Sequence, residues 1–298
     1  MMELLQPGVR LLSYLLLMLL FGWPLFSAYW RLGAGALPAS TRWAMPSIAV
    51  AALALVVMEA GLRLANLLAT RLPLLDADSV RWFLFELPAG RAALVRMASL
   101  VLLLGLLAGA GKAQSSRRPS AVLAAAVALS SLAWNGHAAA ADGWRLAGGI
   151  LHLLAAGAWV GAITLLLMLA WKSRAAVAPQ VDTLRAALRG FATPGTLIVS
   201  LLVLSGGFSY LSLGGTWAGL WASRYGQLLL LKLCLVGGML LLAALHRRWL
   251  VPMLDATARQ PAGAKVLRHL RGSLALDALF ALLVVACVAV LGTLDPAA

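Results

Sequence analysis

Seven side chains of this 298-residue chain could do chemistry together only if apolar helices hold them at one level: Glu59, Arg63, Arg96, Asn135, His137, His152 and Lys232. Ionisable groups inside such runs are costly unless they are paired, hydrated or coordinating something. The neutral imidazoles of His137 and His152 suit copper, zinc, iron or haem. Glu59 could be a third metal ligand, or the carboxylate that orients an imidazole. Met58 and Met97 adjoin the level and Cys234 lies near it, and thioether and thiolate sulfur favour Cu(I). Arg96 and Lys232 oppose a metal cation, so they offset Glu59 or hold carboxylates of an anionic donor. Trp134 and Trp159 flank the histidines. Asp277 and His246 lie toward the opposite face, where they are candidate exit-side contacts. Plainer readings stand beside these. Glu59 and Arg63 are four apart and can neutralise each other, and Arg96 and Lys232 can snorkel to headgroups.

The elements that must position these groups follow from composition. The chain is 62% hydrophobic and 11% charged, with a mean hydropathy of +0.93. A soluble domain carries about 25% charged residues, so there is too little polar surface to enclose this much apolar material. The formal charge of +14 would otherwise suggest nucleic acid, a partner this composition excludes. The fold class is all-α, a polytopic protein in contact with membrane lipid, with residues 1–298 forming a single membrane domain.

A span needs about 20 apolar residues. Eight stretches qualify, near 11–30, 45–68, 91–111, 119–138, 147–171, 191–213, 225–246 and 272–294. The first reads as a retained helix, since no clean cleavage site follows it. Leu72–Leu87 is too polar to span and reads as an interfacial helix. Fifteen of the 24 Lys and Arg fall in one set of loops and six in the other. That bias makes the first set cytoplasmic and puts both termini outside. With ~1.5 Å of rise per residue, Arg96 and His152 each lie ~8 Å below the outer boundary. Span three opens Gly90-Arg91-x4-Arg96 and span seven Gly226-Gln227-x4-Lys232. This echo suggests two parallel four-helix halves, 1–140 and 141–298.

Several functions find no support in the sequence. There is no CxxC, no Walker A loop, no phosphorylation-type Asp motif and no nucleophile elbow, so neither an ATP-driven pump nor an enzyme is expected.

Three segments resemble the CopD/PcoD copper resistance membrane proteins. They are Asn135-Gly136-His137-Ala138 with His152-x6-Trp159-Val-Gly161; Phe191–Gly207 with Tyr225-Gly226-Gln227-x4-Lys232 and Arg247-Arg248; and an acidic residue early in the last span before Leu291-Gly292-Thr293-Leu294. The sequence departs from the family at Asp277, where Glu is expected, and at Phe208-Ser209-Tyr210. The resemblance implies an eight-span protein of the bacterial inner membrane that moves copper from periplasm toward cytoplasm, with a periplasmic CopC-type partner. His137 and His152 would then be the nitrogen ligands for copper. A haem-binding electron-transfer protein is the alternative, with haem iron held by axial imidazoles. A docking or sensing protein that binds copper without transport is another.

Overall fold

The computed structural model describes residues 2–30, 32, 41–108, 114–135, 143–173, 178–212, 220–221, 223–257 and 262–294. Among these residues all regular structure is helical. The helices are α1 (Met2–Tyr29), α2 (Thr41–Leu67), α3 (Ala77–Glu86), α4 (Pro88–Ala108), α5 (Gln114–Ser130), α6 (Gly143–Lys172), α7 (Ala178–Gly190), α8 (Ala192–Ser212), α9 (Arg224–Leu245), α10 (Val251–Thr257) and α11 (Ala262–Leu291). A 3-10 turn, Ser131–Asn135, extends α5, and a π-helical turn, His246–Leu250, joins α9 to α10.

Each apolar stretch expected to span is helical. Seven helices among the described residues are long and apolar enough to cross a membrane. The remaining stretch forms a shorter apolar helix, Arg118–Trp134. Its buried face is largely alanine (Ala121, Ala124, Ala125 and Ala128), and small residues let helices approach closely where lipid gives no hydrophobic drive to association. The outward faces are leucine and valine. Leu204, Leu211 and Leu241 are about 70% exposed or more, as expected of side chains that meet acyl chains.

The centre is the contact between α1 and α6. A Cβ on Gly22 would strike the backbone of Gly161 and Gly157, and one on Gly161 would strike Gly22. Neighbouring contacts keep the same direction along both helices, so α1 and α6 run parallel. Gly157 faces Met18, and Trp23 Nε1 donates to Thr164 Oγ1 at 2.7 Å. Around this pair α1 packs on α2, α5 and α11, while α6 packs on α5, α8 and α11. The helices α1, α2, α4 and α5 close into a ring, since α2 also packs on α4 and α4 on α5. The others do not close in the same way: α9 packs on α11 and α8 on α6, and α8 and α9 meet marginally at most.

Two smaller features complete the frame. The segment expected to be interfacial contains α3, capped by Asp76, whose carboxylate accepts from the Ser79 amide at 2.6 Å. That bond draws the Asp76 pKa below the usual carboxylate range. At ten residues, α3 is far too short to span. At the other end, α7 lies against α6 and α10, and Arg185 and Arg189 both bind Asp255, at 2.7 and 2.5 Å.

Candidate functional site

The first polar group stitches α2, α4 and α5 together. Glu59 and Arg63 sit one turn apart on α2, and Arg63 Nη2 donates to Glu59 Oε1 at 2.6 Å. Arg96 Nη1 lies 3.5 Å from the other carboxylate oxygen. Arg96 is only 1% exposed, and its Nε donates to Ser131 Oγ at 2.9 Å. Ser131 passes its own proton to the Ala128 carbonyl at 2.7 Å. Two guanidinium groups around one carboxylate leave a local excess of positive charge. Both oxygens of Glu59 face cations, an environment that disfavours ligation of a metal cation. Arg96 Nη2 and Glu59 Oε2 have no hydrogen-bond partner.

The second group lies on α6, α8 and α9. His152 Nδ1 is 2.9 Å from Ser205 Oγ, and Ser205 donates its proton to the Leu201 carbonyl one turn back. A hydroxyl has one proton to give. With that proton committed to Leu201, Ser205 can only accept from His152, which fixes the imidazole as the Nδ1–H tautomer. The Nε2 lone pair is then available to a metal, and a hydrogen bond on the other ring nitrogen is how metal-ligating histidines are usually oriented. The ring rests against Gly206, where a Cβ would lie 3.4 Å from His152 Cε1. Lys232 is within electrostatic reach of both His152 and Cys287. Cys287 is buried and Cys234 exposed.

A third pair lies farther along α9 and α11. His246, in the π-helical turn, is 2.6 Å through Nε2 from Ser273 Oγ. Asp277, one turn beyond Ser273, is 3% exposed, and its Oδ1 has no partner.

The remaining sequence candidates are spread around these groups. Met58 is 41% exposed, and Met97 packs at the edge of the core. Trp159 is buried against Phe191, with ring centroids 6.2 Å apart. The indole nitrogens of Trp134 and Trp159 lack hydrogen-bond partners. Asn135 ends the 3-10 turn; its side chain, and His137 altogether, lie outside the described residues.

The expected single polar level is therefore divided. Among the described residues no hydrogen bond or ion pair joins the Glu59 group to the His152 group, and no three His, Cys, Asp or Glu side chains cluster as a metal site. Sequence reasoning passed over the serines that complete each group (Ser131, Ser205 and Ser273). Their signal was faint: a small hydroxyl in an apolar run ordinarily bonds its own helix, as each of the first two also does here.

Residues 185–291 match the family model described as copper resistance protein D. Residues 1–149 match the model described as copper resistance protein D-like, N-terminal domain. The protein named copper resistance protein D from Pseudomonas syringae pv. tomato is 32% identical, over 98% of this chain and 97% of its own length. Residues 150–184, with His152 among them, fall between the two family-model matches and are spanned by that full-length similarity. No solved structure matches. With seven helices able to span and similarity along nearly its whole length, the chain is a multi-pass membrane protein and belongs to the copper resistance protein D family.

Proposed function

We propose that this protein takes copper from the periplasmic side of the bacterial inner membrane and passes it toward the cytoplasm, as a carrier and not an enzyme. The observation that carries the proposal is His152. Its ring is held between α6 and α8 by Ser205, among the described residues its Nε2 makes no hydrogen bond, and α8 and α9 meet marginally at most. Copper here is cargo. His152 Nε2 supplies one ligand and His137, on the segment before α6, a second; Cys287 and Lys232 border the path. His246 and Asp277 serve the exit side. Family membership supports copper as the ion, and a periplasmic CopC-type protein is the proposed donor.

Two parallel four-helix halves underlie this reading, with the Arg118–Trp134 helix as the eighth span and both termini periplasmic. The support is a pattern of like contacts. Gly22 of α1 meets Gly161 of α6, and the packing of α1 on α11 is matched by that of α6 on α5. Arg96 and Lys232 each stand six residues after a helix-opening glycine, Gly90 and Gly226.

The test is copper content and copper uptake by proteoliposomes for the wild type, His152→Ala and His137→Ala. Both substitutions are expected to reduce uptake to background while the melting temperature holds. Unchanged copper stoichiometry in both variants would overturn the assignment, and so would a Soret band from haem in the purified wild type.

A further inference from the structure

A cavity of about 490 Å³ opens between α9–α10 and α11, within the size range of small-molecule sites. Its walls are apolar: Leu242, Leu245 and Met253 on one side, Val266 and Leu276 on the other. The two polar side chains in its lining, both on α11, are already engaged. Ser273 Oγ meets His246 at 2.6 Å, and His269 Nδ1 meets the Lys265 carbonyl at 2.9 Å. Such a groove offers nothing to a hydrophilic solute, and it suits a hydrocarbon chain.

The residues interleaved with this lining have the opposite character. Arg247 and Arg248, between Leu245 and Leu250 in the π-helical turn, and Lys265 and Arg268, beside Val266 and His269 at the start of α11, are all exposed. Among the described residues none of the four makes an ion pair. Arg185 and Arg189, by contrast, are paired with Asp255, and Arg185 also with Asp182. Trp249, 65% exposed, stands beside them, in the position an indole takes at headgroup level. An apolar slot flanked in sequence by four exposed cations, none ion-paired among the described residues, is complementary to one class of molecule.

We propose that this groove binds an anionic phospholipid, an acyl chain in the slot and the phosphate between Lys265, Arg268 and the Arg247–Arg248 turn. Basic pockets between membrane helices recognise such headgroups. A lipid seated there contacts the turn that carries His246, and so couples the membrane's composition to the exit side of the proposed copper route. The binding site itself stands independently of that route.

The experiment uses purified, delipidated full-length protein titrated with phosphatidylglycerol or phosphatidylcholine and read by native mass spectrometry. The wild type is expected to retain phosphatidylglycerol in preference. Lys265→Ala/Arg268→Ala should weaken that preference by roughly 25-fold, at about fivefold per charge. Gly272→Phe should expel the lipid, since Gly272 lines the groove and a Cβ there meets nothing within 4 Å. That open space lets the variant fold, and an unchanged melting temperature verifies it. Equal retention of the two lipids by the wild type overturns the proposal. So does undiminished phosphatidylglycerol binding by a folded Gly272→Phe protein.

Discussion

The group around Glu59 and the group around His152 differ in what a cation would meet. In the first, α2 packs on α4, and charge closes the seam: Glu59 sits between Arg63 and Arg96, and Arg96 reaches on to Ser131 in the 3-10 turn that extends α5. In the second, α8 and α9 stay apart, and the polar residue in the wall is an imidazole held by a serine. Ion pairs make a wall that a metal cation has no reason to enter. A neutral ring with a free lone pair gives it one. On the function proposed above, the first group is structural and the second handles copper.

The largest expected effect tests the structural assignment. Glu59→Leu leaves Arg96, 1% exposed, without its counter-charge, and breaking such a buried pair costs about 3–5 kcal/mol. Unfolding in detergent should show that loss, while the copper bound per folded molecule is unchanged. Glu59→Leu/Arg96→Leu should recover much of the stability, because a hydrophobic replacement of a buried pair is often near neutral. If Glu59→Leu instead keeps its stability and loses copper, Glu59 is a ligand and the division between the groups collapses.

Next in size is the seam that joins the two sets of helices. Gly161→Ala places a Cβ against the Gly22 backbone, and overpacking of this kind costs about 1–3 kcal/mol. Gly237→Ala is the control, since a Cβ there meets nothing within 4 Å. A shared melting temperature for the two variants would show that the α1–α6 contact is looser than the geometry implies.

How much of this the sequence disclosed depends on the range of the interaction. Helix positions were legible because hydrophobic length is local: the stretch expected at 147–171 lies within the helix Gly143–Lys172, and that expected at 225–246 matches Arg224–Leu245 to one residue at each end. The Glu59–Arg63 pair was legible because both lie on one helix face. The partition of one polar level into two groups was not, because depth along a helix says nothing of the direction a side chain faces. Ser205 escaped notice for the same reason, since its bond to His152 spans 53 residues. The gap between α8 and α9 depends on packing between helices, which hydropathy does not encode.

A smaller effect bears on the second group alone. Ser205→Ala removes the acceptor that holds His152 Nδ1–H, and loss of such an outer partner costs about 10–100-fold in metal affinity. Copper titration should show that drop, with the Nδ1–H signature of His152 lost in nitrogen NMR. Full affinity with an unaltered tautomer would mean that something other than Ser205 fixes the ring.

Lys232 gives the finest test, because it is where the two groups are most alike. Arg96, six residues after Gly90, serves structure by meeting Glu59; Lys232, six after Gly226, has no carboxylate partner among the described residues and acts on His152 through its charge. A fixed cation near a Cu(I) site opposes loading, by ~1.7 kcal/mol for unit charges about 10 Å apart at an effective dielectric of about 20. Lys232→Met should therefore raise copper affinity, by on the order of tenfold, and slow copper release, while stability changes little. Tight binding without release would make Lys232 the group that keeps the cargo mobile. A fall in stability with unchanged affinity would instead make Lys232 the counterpart of Arg96, and the two groups would differ in residue type but not in purpose.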